Sequence, residues 1–176
     1  MTKRKLGETA SLVSLTVFVL LRMASLTAAG EADIRDNPYI QAAVEEGIPR
    51  EILVAIAGAE SGFHPWALNI DGRQVYCHSR EEAELLLSTV DKVDIGLMQI
   101  NWPFWGPRLG LSKSQLLDPR TNLLYGARIL KRNLTRTGDI WRRISDYHAG
   151  SLQRRDRYNQ LVYQQYLRYI QGKVGR

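Results

Sequence analysis

The 176-residue sequence has one cysteine, three histidines and six prolines. A lone Cys77 excludes a disulfide framework and any multi-cysteine zinc site. No apolar run approaches the roughly 18–20 residues of a membrane-spanning helix. An apolar fraction of 44% with 24% charged residues excludes a disordered or fibrous chain and fits one soluble domain with a sizeable core. Internal repeats, low-complexity tracts and an interdomain linker are missing as well. The formal charge of +6 must be located before it is interpreted.

Much of that charge lies at the start. Lys3, Arg4 and Lys5 precede an apolar run from Leu12 to Leu21, and the small residues Thr27, Ala28 and Ala29 follow. These are the parts of a secretory signal peptide, with cleavage expected near Ala29. The domain organisation expected is a signal peptide at 1–29 and one domain at 30–176. Losing residues 1–29 removes Lys3, Arg4, Lys5 and Arg22 against Glu8, so the charge falls from +6 to +3. That mild excess, without a basic stripe, argues against nucleic-acid binding. The exported chain is expected to be periplasmic, without an integral membrane span, and Cys77 to be a buried, inert thiol.

Helix signals dominate the rest. Asp36-Asn37-Pro38 reads as a helix start and Gly47 as its end. Pro49 opens a second helix, Arg50 to Glu60, with no polar face, hence buried. Asp71-Gly72 beside Val75 and Tyr76 is a hairpin signal. Ser79 with Glu82 forms a capping box opening a helix to about Ser88. Asp94–Asn101 is expected to be extended and to pair with the hairpin. Trp102–Pro107 reads as a loop. Asp118-Pro119 caps a helix to about Arg136 with Leu123, Leu124, Ala127, Leu130 and Leu134 at helical spacing. Two further helices are expected, Ile140–Tyr147 and Arg154–Gly172. The fold class is α+β, mainly α-helical, with a small β lobe.

Glu60 closes the otherwise apolar second helix. Desolvation there and the negative helix end would both raise its pKa, as a general acid requires. A solvated helix-end glutamate is the bland alternative. Cys77-His78 is too compact to share an ion and has no second close pair, so no metal or cofactor is expected. Trp102, Phe104 and Trp105 suit either sugar stacking or core packing. Arg142, Arg143, Arg154, Arg155 and Arg157 read as a solvated face or a contact for anionic wall polymers.

Gly58-Ala59-Glu60-Ser61-Gly62-Phe63-His64-Pro65-Trp66-Ala67 resembles the catalytic motif of soluble lytic transglycosylases, of the lysozyme-like superfamily. Gly96-Leu97-Met98-Gln99-Ile100-Asn101, the Asp118–Leu130 helix and Tyr147-His148-Ala149-Gly150 resemble the motifs that follow it in that family. Each is weak alone, but four in order are specific. The resemblance implies a lysozyme-like fold and peptidoglycan glycan strands as substrate. It makes Glu60 the sole acid/base, with Ser61, Met98, Gln99, Asn101, Tyr147 and His148 contacting substrate or the acid. Ser61 would polarise the site, Met98 and Gln99 line the cleft, and Tyr147 donate its hydroxyl near Glu60. Met98 suits core packing equally. His148 departs from the family's usual Asn. The long Ile70–Val93 stretch resembles transglycosylases of conjugation and type IV secretion, which implies secretion-machinery partners.

One carboxylate suffices if the substrate's own 2-acetamido oxygen stabilises the anomeric centre. A hydrolase of the usual design needs a second, for which Asp94 is the candidate. A wall-binding scaffold without catalysis is the third alternative.

Overall fold

The computed structural model describes residues 37–134, 140–145, 147 and 152–172. The expected leader at 1–29, the Gly138-Asp139 helix start and His148 lie outside the described residues. From Pro38 onward the chain forms one compact unit. It is mainly helical, with a four-stranded antiparallel sheet.

Helix α1, Pro38–Glu46, starts at a proline and stops at Gly47, whose φ of +66° suits a residue without Cβ. Helix α2, Arg50–Ser61, buries every residue from Ile52 to Gly58, as an all-apolar surface demands. Gly62 ends it in the left-handed region, donating its N–H to Gly58 O at 3.2 Å. The last helix, Leu152–Ile170, packs along α2. Gly58 permits that approach, because a Cβ there would meet Gln165 at 3.1 Å and the Phe63 ring at 2.7 Å.

Strands β1 (Ala67–Ile70) and β2 (Arg73–Tyr76) join through Asp71-Gly72, both at positive φ, the geometry of a tight hairpin turn. With β3 (Val93–Ile95) and β4 (Ile100–Asn101) the sheet order is β2-β1-β3-β4. The expected extended segment Asp94–Asn101 is thus two strands folded about a turn. Gly96 and Gln99, at φ +77° and +43°, reverse the chain there. Cross-strand register sorts the two faces. Leu68, Ile95 and Ile100 align on the buried face, while Gln74, Asn69, Asp94 and Asn101 align on the other.

Helix α3, Arg80–Leu87, is capped by Ser79, whose Oγ accepts from Glu82 N at 3.2 Å. The reciprocal half of the expected capping box is displaced by one residue: Glu82 accepts from His78 N at 2.7 Å. Trp102–Pro107, expected as a loop, begins helix α4, Trp102–Leu109. Asn101 Oδ1 caps it by accepting from Phe104 N at 3.1 Å, and the first-turn proline surrenders no bond. A one-turn helix α5, Lys113–Leu116, carries a complete capping box from Ser112 and Gln115.

Helix α6, Pro119–Leu134, starts under Asp118, whose Oδ1 accepts from Thr121 N at 2.8 Å. Helix α7 runs Ile140–Ser145, and Leu152–Ile170 is α8. Buried Glu46 of α1 meets Arg128 at 2.8 Å and Lys131 at 3.5 Å on α6. Leu53, Ile56, Leu68, Ile95, Leu123, Leu130 and Val162 form the shared core of helices and sheet. Cys77 is buried in it without a disulfide, and burial pushes its thiol pKa up.

Candidate active site

Helix α2 delivers Glu60 to a cleft of about 820 Å³, a size that suits a bound ligand. Across the sheet runs the polar row Gln74-Asn69-Asp94-Asn101, and all four residues line this cleft. Phe104 and Trp105 of α4 and Arg154, Arg157, Tyr158 and Leu161 of α8 also line it. The buried apolar helix ends in a half-buried Glu60, whose carboxyl is partly shielded from water by the cleft walls.

The Glu60 pKa is raised to about 7. Burial is the main cause, Asp94 adds like-charge repulsion, and a hydrogen bond from Tyr158 opposes both. Tyr158 donates its hydroxyl to Glu60 Oε1 at 2.7 Å. Burial and the neighbouring Glu60 hold the Tyr158 phenol well above its usual pKa, so it remains a donor. Asp94 is fixed from the side, since Asn101 Nδ2 donates to its Oδ1 at 2.7 Å.

The residues singled out by resemblance separate into two groups. Glu60, Gln99, Asn101 and Tyr147 line the cleft. Met98 does not: its side chain is fully buried, packed where Gly126 leaves room for it. Ser61 does not either. It is buried, and its hydroxyl donates to Ala57 O one turn back at 3.0 Å. Tyr147 reaches the main chain rather than the acid, donating to Met98 O at 2.9 Å. The Gln99 amide nitrogen is spent on Gly96 O at 2.8 Å and Ala67 O at 3.1 Å, which steadies its positive-φ backbone. Its carbonyl accepts from Gln74 at 3.4 Å.

Asn122 anchors this turn to α6. Its side chain is fully buried; Oδ1 accepts from Met98 N, and Nδ2 donates to Ile95 O and Leu116 O, each at 2.8 Å. Sequence reasoning did not single out Tyr158, Asn69 or Gln74 as site residues. Tyr158 is one of several α8 tyrosines at helical spacing, and nothing local distinguishes it. The alternation Leu68-Asn69-Ile70 could have pointed to Asn69, because neighbouring strand residues face opposite ways.

Residues 37–166 match the family model described as "Transglycosylase SLT domain". Invasion protein IagB of Salmonella typhimurium strain LT2 is 32% identical over 136 residues, covering 73% of this chain and 74% of that protein. Protein IpgF of Shigella sonnei is 28% identical over 159 residues, covering 86% of this chain and 90% of its own length. No solved structure matches the chain. The family match takes in α2, the sheet and most of α8, and so every cleft residue named above; this chain belongs to the transglycosylase SLT family.

Proposed function

We propose that the protein is an exported peptidoglycan lytic transglycosylase. It cleaves the β-1,4 bond between N-acetylmuramic acid and N-acetylglucosamine and leaves a 1,6-anhydro ring. The observation that carries this reading is the Glu60 carboxyl with its pKa raised to about 7, in a cleft walled by polar and aromatic side chains. Neutral Glu60 protonates the glycosidic oxygen as the C1–O bond breaks. The 2-acetamido oxygen stabilises the anomeric carbon. Glu60, now a carboxylate, takes the proton of the C6 hydroxyl, whose oxygen bonds to C1. The proton balance closes without water or a cofactor. Tyr158 orients the carboxyl and stabilises its charged form between the two proton transfers.

The signal-peptide pattern read in residues 1–29 supports export. Local opening of the wall for an envelope-spanning secretion or conjugation apparatus fits the Ile70–Val93 elaboration and the likeness to an invasion protein. Asp94 supports a second reading, because it shares the cleft and acts electrostatically on Glu60. Under that reading water attacks and the product is reducing N-acetylmuramic acid.

Mass spectrometry of purified peptidoglycan digested by the protein decides the matter. Anhydro-muropeptides from wild type, with a loss on the order of 10²–10⁴-fold in Glu60→Gln, are expected. Reducing ends alone would reject the lytic reaction in favour of hydrolysis. No release of fragments by either protein would leave only a wall-binding scaffold.

A further inference from the structure

Glu60 and Tyr158 do not account for the whole α8 wall of the cleft. Arg154, Arg157, Tyr158 and Leu161 all line it, at the i, i+3, i+4, i+7 spacing of one helix face. Tyr158 hydrogen-bonds the acid, and both arginines sit within about one helical turn of it along α8. Both arginines are exposed, and among the described residues neither forms an ion pair. By contrast Arg128 is committed to Glu46 at 2.8 Å and Arg80 to Glu84 at 3.0 Å.

The glycan backbone itself is uncharged, so the sugars offer two cations on the cleft wall hydrogen-bond acceptors but no counter-charge. The charge of peptidoglycan lies on the peptides carried by the lactyl ether of each N-acetylmuramic acid, which end in and are studded with carboxylates. In the proposed reaction the sugar attacked at C1 is that same residue. Its peptide therefore leaves the ring close to the bond that Glu60 protonates.

We infer that Arg154 and Arg157 form an anionic subsite that binds carboxylates of the stem peptide, so that peptide-bearing strands are the preferred substrate. This rests on the lytic reading of the cleft. A guanidinium fork suits a carboxylate, and two forks one turn apart suit a short peptide carrying more than one.

The test compares the purified protein with Arg154→Gln/Arg157→Gln on glycan strands bearing intact stem peptides and on the same strands stripped by an amidase, with the lactyl carboxylates so exposed capped as methyl amides to keep the stripped strand uncharged. Circular dichroism verifies folding, and Arg154→Lys/Arg157→Lys retains charge without the fork. For wild type, KM is expected to be lower on the peptide-bearing strands. In the glutamine variant that KM rises on the order of three- to tenfold, kcat moves little, and the preference disappears. The lysine variant should recover part of the preference. A preference ratio equal in wild type and the glutamine variant overturns the subsite, as does an equal loss on both substrates. Absence of turnover by wild type on either substrate overturns the lytic reading, and the subsite with it.

Discussion

At neutral pH the Glu60 carboxyl is divided between its charged and neutral forms, because its folded pKa is about 7 against an ordinary value of 4.5. Between those two values the folded protein keeps a proton that the unfolded chain has released. Stability contributed by this group is therefore full below about pH 4.5, falls as pH rises, and is gone above about 7. Glu60 lines an open cleft, so the charged form costs about 1–3 kcal/mol rather than the full value of its shift. Glu60→Gln should consequently raise Tm by about 3–8 °C at pH 8 and leave it nearly unchanged at pH 4.5, as calorimetry would show. An equal Tm for both proteins at pH 8 would mean the carboxyl is well solvated. Tyr158→Phe acts in the opposite sense to solvation, because it removes the hydroxyl that favours the charged form. The acid then stays protonated to higher pH, and the alkaline limb of the kcat profile should move upward. A limb that stays put or moves down would show that Tyr158 does not tune Glu60.

The elements themselves rest on caps and on one buried amide. Asn122 satisfies three main-chain groups with one side chain, joining the Gly96–Gln99 turn, β3 and α5 to α6. Asn122→Ala leaves Met98 N–H, Ile95 C=O and Leu116 C=O without partners in a fully buried place, costing about 2–4 kcal/mol. Denaturant unfolding measures this, and glycan cleavage should fall more than stability alone explains, because Gln99 and Asp94 flank the same turn. A loss below about half a kcal/mol would mean that water replaces the amide. Elements with a cap or turn signal were legible from the residues: Pro38 with Gly47, Pro49, Asp71-Gly72, Ser79 and Asp118-Pro119 each mark a boundary found in the structure. Helix α4 was not, because Trp, Pro and Gly in Trp102–Pro107 mimic a loop while its cap, Asn101, belongs to the preceding strand. Glu60 was legible because a single carboxyl ends an apolar helix. Asp94 and Asn101 were named beside it, but Asn69 and Gln74 were not, since the four form one row only through the pairing of four strands.

Across the whole molecule, the cleft draws on pieces far apart in the chain. The acid comes from α2, its hydroxyl partner from α8 nearly a hundred residues later, and the polar row from the sheet. The mainly α-helical α+β fold was legible, but the contact of α8 with α2 was not: α8 announces an apolar stripe, not the helix it meets. Met98 illustrates the same gap, because only the tertiary position of Gly126 decides that its side chain fills the core. A ligand lying in this cleft touches the helices and the sheet together, so binding should stabilise them as one cooperative unit. Saturating Glu60→Gln with soluble peptide-bearing glycan strands at about a hundredfold excess over Kd adds about 2.7 kcal/mol to stability. For a chain of this size that raises Tm by roughly 5–11 °C in a single, still cooperative transition. Calorimetry reads both the midpoint and the number of transitions. An unchanged midpoint at that excess would show that the cleft is not the glycan site, and two separated transitions would show that the strand grips the sheet or the helices alone.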